Sequence, residues 1–274
     1  MKKGYMALRK ELDGILSPAD LDRLPRRWQL IGDIVLVRID GLEDFWGEIG
    51  DAFFKIYPWA KGVAVDCGVH GKLREPDIRV IAGEVSETLH RENHCTFKLD
   101  PRKVIFSPGN MNERMRIAAL GTDEFVVDMF AGIGYFSIPM AKHAVPEKII
   151  AIELNPVAFE YLLENIRLNH VEKIIEPLAG DCADLTPVGV ADRVIMGYLN
   201  AEAYLEVGVK AIREEGGILH YHEAVPYHLF PNRPVERIQA ACRSLGRGCE
   251  IIEAKKVKKF APGVLHAVID AAIT

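Results

Sequence analysis

The chain contains no Cys-x-x-Cys pair, and its five cysteines, Cys67, Cys95, Cys182, Cys242 and Cys249, are odd in number and scattered over its 274 residues. This spacing argues against a zinc finger and for reduced thiols. No apolar run approaches the ~20 residues that a membrane span requires. The start, Met1-Lys2-Lys3-Gly4-Tyr5, lacks the apolar core of a secretion signal. A soluble cytoplasmic protein with no membrane partner is expected. Positive charge is also short: the net charge is −5, which argues against a protein that coats nucleic acid indiscriminately. A localised basic patch stays compatible with RNA. Candidates are Arg23, Arg26 and Arg27, the stretch Arg91 to Lys103, and Lys255, Lys256, Lys258 and Lys259, each of which taken alone looks like a solvated face.

What is present is organised around Asp128-Met129-Phe130-Ala131-Gly132-Ile133-Gly134-Tyr135-Phe136-Ser137. The apolar run Phe125 to Val127 reads as a buried parallel strand ending in an acid, two glycines and a helical pattern. Glycine lets the backbone close on a ligand. Glu153 ends the next apolar run, 21 residues beyond Gly132, near the spacing of about 20 at which strand-end carboxylates accept ribose hydroxyls. The dinucleotide fingerprint wants a third glycine where Ser137 stands, and the Lys-Ser/Thr ending of a phosphate cradle is missing. Asp128 would repel a pyrophosphate but suits a ligand with an ammonium and a sulfonium. The expected ligand is S-adenosylmethionine, held by Asp128, Phe130, Ala131, Gly132, Gly134 and Glu153.

The periodicities divide the chain at about 1–27, a helical leader; 28–106, a small α+β domain; 107–120, a connecting helix; and 121–274, where strands and helices alternate. That alternation predicts an α/β fold, a Rossmann-like, mostly parallel sheet with helices on both faces. Two closing strands, Glu250 to Val257 and Val264 to Ala271, form an antiparallel hairpin around Ala261-Pro262-Gly263. Earlier, Leu42 to Tyr57 reads as a helix and Glu92 to Asp100 as one alternating strand. Asn110 or Asn112 could cap the helix that follows Pro108-Gly109.

Several ordered segments carry a family resemblance: Gly71-Lys72-Leu73-Arg74-Glu75-Pro76, Ile81-Ala82-Gly83, Thr88-Leu89-His90-Arg91-Glu92-Asn93, Phe106-Ser107-Pro108, Asp128 to Pro139, Gly216 to Tyr221, and Phe260-Ala261-Pro262-Gly263. Over about 28–274 the chain resembles the archaeal and eukaryotic tRNA enzymes that modify guanosine at position 37 beside the anticodon. The resemblance implies a class I methyltransferase-like catalytic domain and a small RNA-contacting domain before it. The N1-methyltransferases of this family usually carry a further N-terminal domain, for which the front of this chain is short. They also generally have an arginine after Phe-Ser-Pro and an Asn-Leu-Pro type segment after the fourth strand of the sheet, which reads here as Arg193 to Met196; in their places stand Gly109 and Gly197-Tyr198-Leu199-Asn200. Those residues are similar instead to the wyosine-pathway branch. Its members transfer the 3-amino-3-carboxypropyl group of S-adenosylmethionine to the tricyclic base at position 37 of tRNA(Phe), releasing methylthioadenosine. The implied enzyme is an alkyl transferase that consumes its cofactor as co-substrate and uses no metal. N1-methylation of guanosine 37 is the alternative, and a non-catalytic relative a third reading.

A sulfonium has three carbons open to displacement, and the one held in line with the nucleophile reacts. Arg114, supported by Ser107, is the candidate contact to the carboxylate of the re-aimed arm. Asp181 stands where the adenine amino group is met in this fold, with Cys182 beside it; the plainer reading is a turn acid and a buried thiol. Tyr198 either stacks on the base or closes the core. Asn155 caps the helix at Pro156, alongside ribose contact by Glu153. His220, His222 and His228 lack a completing third ligand, and His90, His94 and Cys95 fare no better. No catalytic acid or base is identified, and the oligomeric state stays open.

Overall fold

The computed structural model describes residues 2–71, 73–106 and 108–274. It divides into two compact units, one made of the chain up to Arg91 together with Thr96–Pro108, the other of Glu92–Cys95 and Gly109–Thr274.

In the first unit, Leu8 on α1 (Lys2–Glu11) and Leu12 in the turn just past its end are both fully buried. Ser17 then accepts from the Asp20 amide at 3.2 Å, and Pro18 at the first helical position starts α2 (Pro18–Arg23). The leader helices have no core of their own. Leu8, Leu12 and Leu21 pack into one cluster with Val35, Ile49, Phe53 and Val63. Strands β1 (Trp28–Ile31) and β2 (Ile34–Val37) form an antiparallel hairpin. The helix expected from Leu42 begins as a 3-10 turn, Glu43–Phe45; α3 (Trp46–Ile56) follows. It leads to β3 (Gly62–His70), parallel to β2, and β4 (Glu75–Gly83) is the antiparallel edge. The run expected as one strand over Glu92 to Asp100 is split. β5 (Thr88–Glu92) and β6 (Cys95–Leu99) flank Asn93 and His94, which sit at φ 47° and 59°, a left-handed conformation that no strand contains.

The second unit opens with α4 (Met111–Ala118); Asn110 stands at its N-cap, but no side-chain hydrogen bond caps it. Then follow β7 (Phe125–Asp128), α5 (Ser137–His143), β8 (Lys148–Glu153), α6 (Pro156–Leu168), β9 (Ile175–Ala179) and the single turn α7 (Cys182–Leu185). β10 (Arg193–Met196), α8 (Leu205–Ala211), β11 (Gly217–Pro226), α9 (Asn232–Ser244), β12 (Cys249–Ala261) and β13 (Val264–Ile273) complete it. The sheet order is β12-β13-β11-β10-β7-β8-β9. Strands β11, β10, β7, β8 and β9 run parallel, and β13 and β12 close the edge antiparallel. This is the α/β architecture with a C-terminal hairpin. Neighbouring residues of β11 face opposite layers: Leu219 and Tyr221 join the core that includes Leu205 and Ile238, whereas His220 meets Asp270, itself bound to Arg116 of α4. β8 and β9 are added on one side of β7, and β10 and β11 on the other, so the order reverses between β7 and β10. A crevice opens at the carboxyl ends of strands at such a switch point.

Candidate active site

Strand β7 delivers Asp128 to that crevice as a fully buried side chain. Its Oδ1 accepts from the Phe130 amide at 3.3 Å and its Oδ2 from the Ser137 hydroxyl at 2.6 Å. Ser137, which stands where a dinucleotide site would have glycine, thus ties the start of α5 to the end of β7. Burial pushes the Asp128 carboxyl up to about 6, against the pull of the Ser137 and Phe130 bonds and with a further push from the Glu153 charge. Both oxygens of Asp128 are thus engaged with the loop and the start of α5, which fixes the loop's shape.

The loop requires its glycines. Gly132 has φ 59° and Gly134 φ 98°, and a Cβ on Gly132 would come within 2.3 Å of the Tyr135 ring. One side chain spans the loop and the following strand: Glu153 Oε2 accepts from the Gly132 amide and Oε1 from the Asn155 amide, each at 2.7 Å. Asn155 accepts in turn from Val157 N at 2.9 Å and Ala158 N at 3.4 Å, the cap expected at Pro156. The Gly180 amide donates to the Glu153 carbonyl at 2.9 Å, which sets Asp181 beside this strand end. Asp181 caps α7 through Ala183 N at 3.0 Å. Burial, with Asp181 adjacent, pushes the Cys182 thiol up to about 12, so it stays protonated.

An aromatic group stands over the loop. The Phe130 ring lies 5.3 Å from Tyr198 and 5.5 Å from Tyr204, which the sequence did not single out. Gly197 is needed one residue earlier, since a Cβ there would come within 2.8 Å of the Phe136 ring. The segment is held from behind: Ala224 N donates to the Leu199 carbonyl at 3.2 Å, and Asn200 bridges to Glu223. Glu223 is itself bound by Tyr221 at 2.9 Å and Arg233 at 2.6 Å.

Arg114 is buried on α4, and its Nε and Nη2 donate to the two oxygens of buried Glu92 at 2.6 and 2.7 Å. Glu92 has no role that its sequence neighbours announce; 22 positions separate the pair, and nothing local signals it. Ser107 lies outside the described residues. The histidines are engaged elsewhere. Arg193 Nη1 donates to His220 Nε2 at 2.6 Å, and His220 Nδ1 donates to Asp270 at 2.7 Å. His222 pairs with His266 at 2.9 Å, and burial beside His220 and Arg116 lowers its pKa to about 3. Although Asp270 is buried, His220 and Arg116 hold its carboxyl well below the ordinary range. Among the described residues no group of three or more His, Cys, Asp or Glu side chains is placed to hold a metal ion.

A reversed parallel sheet, a glycine loop over a buried acid and a second acid closing the loop from the next strand define a class I, Rossmann-like transferase domain of the kind that binds S-adenosylmethionine. Residues 88–252 match the TRM5/TYW2 methyltransferase domain, and residues 8–87 match the TYW2 N-terminal domain. The chain belongs to the TRM5/TYW2 family. It is 40% identical over 247 residues, covering 89% of this chain and 97% of the relative, to the tRNA(Phe) (4-demethylwyosine(37)-C(7)) aminocarboxypropyltransferase of Methanocaldococcus jannaschii. Identity to the tRNA (guanine(37)-N(1))-methyltransferase Trm5b of Pyrococcus abyssi is 37%, over 92% of this chain and 77% of that one. Among solved structures, Pyrococcus horikoshii TYW2 in complex with MeSAdo superposes with a TM-score of 0.85 at 34% identity, covering 98% of both chains.

Proposed function

We propose that this chain transfers the 3-amino-3-carboxypropyl group of S-adenosylmethionine to carbon 7 of the tricyclic wyosine-type base at position 37 of tRNA(Phe). The observation that carries this reading is likeness over nearly the whole length to an aminocarboxypropyltransferase, with a TYW2 rather than a TRM5 model matching the N-terminal unit. The Gly197–Phe136 contact agrees with it, because a Cβ at the start of the segment where the N1-methyltransferases resembled above carry Asn-Leu-Pro would come within 2.8 Å of the Phe136 ring and force it to move. The ring carbon attacks the γ-carbon of the arm, and a carbon–carbon bond forms. The carbon–sulfur bond breaks with its electron pair moving to sulfur, neutral methylthioadenosine leaves, and the ring carbon loses its proton to water.

The chain's residues bind and aim. Glu153 accepts the ribose hydroxyls with the lone pairs that its two amide donors leave, and Gly132 and Gly134 bring the backbone of Phe130 and Ala131 against the nucleoside. Asp181 meets the adenine amino group, with Cys182 beneath. Asp128 supplies negative potential under the ammonium and sulfonium. Arg114, oriented by Glu92, receives the carboxylate of the arm, and Tyr198 stacks on the base. The RNA contact lies in the anticodon region, and the enzyme works in the cytoplasm. No helix among the described residues is long and apolar enough to cross a membrane.

Incubation with labelled S-adenosylmethionine and tRNA carrying the tricyclic precursor tests the assignment. Methylthioadenosine is expected in step with labelled RNA. The 37% identity to Trm5b supports the second reading, N1-methylation; S-adenosylhomocysteine from tRNA bearing guanosine 37 would establish it and refute the first.

Cofactor affinity is expected to depend on pH through Asp128. The unliganded carboxyl titrates near 6, and a cationic ligand lowers that value, so binding is tightest above pH 6 and weakens as pH falls below it. The loss is about tenfold for each unit by which the ligand shifts the group. Calorimetric titration between pH 5 and 8 should show this curve, and Asp128→Asn should flatten it at the weaker level. An unaltered curve in that variant would remove Asp128 from cofactor binding.

A further inference from the structure

The edge strand β12 carries Lys255, Lys256, Lys258 and Lys259, and its pairing with β13 is irregular between Ile251 and Glu253, Lys256 and Lys258, and Lys259 and Ala261. Charged, bulged edges prevent strand-to-strand aggregation, and that accounts for lysines and bulges. It does not account for two large rings held in water at the same end. Phe260 is 51% exposed and Tyr227 47%. Both lie at the hairpin turn, where the Tyr227 amide donates to the Gly263 carbonyl at 3.0 Å.

Topology fixes which end this is. Val264 pairs with Pro226, the last residue of β11, and β11 runs parallel to β10 and β7. The turn therefore shares the carboxyl end of the sheet with Asp128 and Gly197. Lys256 and Lys258 pair with consecutive residues of β13, Ala267 and His266, and so point to opposite faces. On one face Lys256 covers the Phe230 ring at 5.4 Å. On the other, Lys258 lies beside Gly109, its Cδ and Nζ 3.3 Å from where a Cβ would stand. Among the described residues Lys255 pairs with Glu253 at 2.9 Å, and neither Lys256 nor Lys259 has a carboxylate partner.

We propose that Tyr227 and Phe260, with Lys256 and Lys259 beside them on the edge strand, form a stacking platform for unpaired nucleotides of the substrate RNA next to the target base. The inference rests on the tRNA-transferase reading and gives that site its strand-holding surface. In a chain of net charge −5, phosphate contacts must be local, and ammonium groups beside exposed rings suit single-stranded RNA, whose bases stack while its phosphates pair. An acidic protein segment would use the lysines and leave the rings idle.

Anisotropy titrations with a fluorescent anticodon stem-loop test the platform. Phe260→Ala and Tyr227→Ala should each weaken binding about tenfold, with Phe260→Trp restoring it and with S-adenosylmethionine affinity unchanged. Replacing Lys256 and Lys259 by glutamine should lower the salt slope by roughly 0.7–0.9 for each phosphate no longer neutralised. Wild-type RNA affinity in the double alanine variant, or a fully paired duplex bound as tightly as the loop, would overturn the platform and leave the transfer reading intact. If instead the wild-type enzyme makes no methylthioadenosine from tRNA while the ring substitutions still release the stem-loop, the transfer reading fails and the platform stands.

Discussion

Glu153→Ala is expected to raise the dissociation constant for S-adenosylmethionine by about 100-fold or more and to lower transfer at cellular cofactor levels in proportion. The carboxylate supports the site twice. It would meet the ribose hydroxyls, and hydrogen bonds from a charged acceptor are worth roughly 1.5–3 kcal/mol each. It also closes the loop, accepting from the Gly132 and Asn155 amides. Removal leaves both donors without that partner and frees a glycine at φ 59° to leave its left-handed conformation. Glu153→Gln does not repair the loss, because its amide offers one acceptor where two are needed. Asn155→Ala is the control. It removes the cap on Val157 and Ala158, at about 1 kcal/mol of stability, or roughly 2–4 °C in melting temperature for a domain of this size, and should leave cofactor affinity within a few-fold. Titration calorimetry on the two variants decides the point. Wild-type affinity in Glu153→Ala would confine the residue to packing.

The sequence made the strand, loop and helix around Asp128 legible because each part obeys a local rule. Phe125 to Val127 is a short apolar run, Gly132 and Gly134 stand where positive φ is required, and Glu153 follows at the spacing that parallel strands impose. The bonds inside the loop were not legible. Spacing puts an acid at a strand end but says nothing of its rotamer, so the span from Gly132 to Asn155 appears only in three dimensions. Ser137 reads along the chain as a missing glycine, and only the fold brings its hydroxyl back to Asp128. The leader shows its helical period through Leu8 and Leu12, yet the partner that buries them, the Phe53 face of α3, is more than forty residues away. The helix read from Leu42 starts later, because its first turn tightens to 3-10 and α-helix begins only at Trp46. The turn after Glu92 escaped notice because Asn93 and His94 adopt left-handed backbone without a glycine to announce it.

Arg114 can be tested only together with Glu92, since its substitution removes half of a buried, two-pronged ion pair. Glu92→Leu or Arg114→Met alone leaves one uncompensated charge in the interior and is expected to cost about 3–5 kcal/mol of stability. The double variant, Glu92→Leu with Arg114→Met, should recover most of that loss, because replacing a whole buried pair by apolar side chains of similar volume is commonly neutral or better. Folding and function then separate. In the refolded double variant, methylthioadenosine, which lacks the arm, should bind as it does to wild type. S-adenosylmethionine should bind about 10- to 100-fold more weakly, the value of a charge-assisted bond to the arm carboxylate, and transfer should fall further because the arm is no longer aimed at the base. Denaturant unfolding checks the first half and paired ligand titrations the second. A double variant that is stable, binds both ligands as wild type does and transfers at the wild-type rate would show that Arg114 only holds Glu92 in the fold, and the arm's carboxylate would have to find its cation elsewhere.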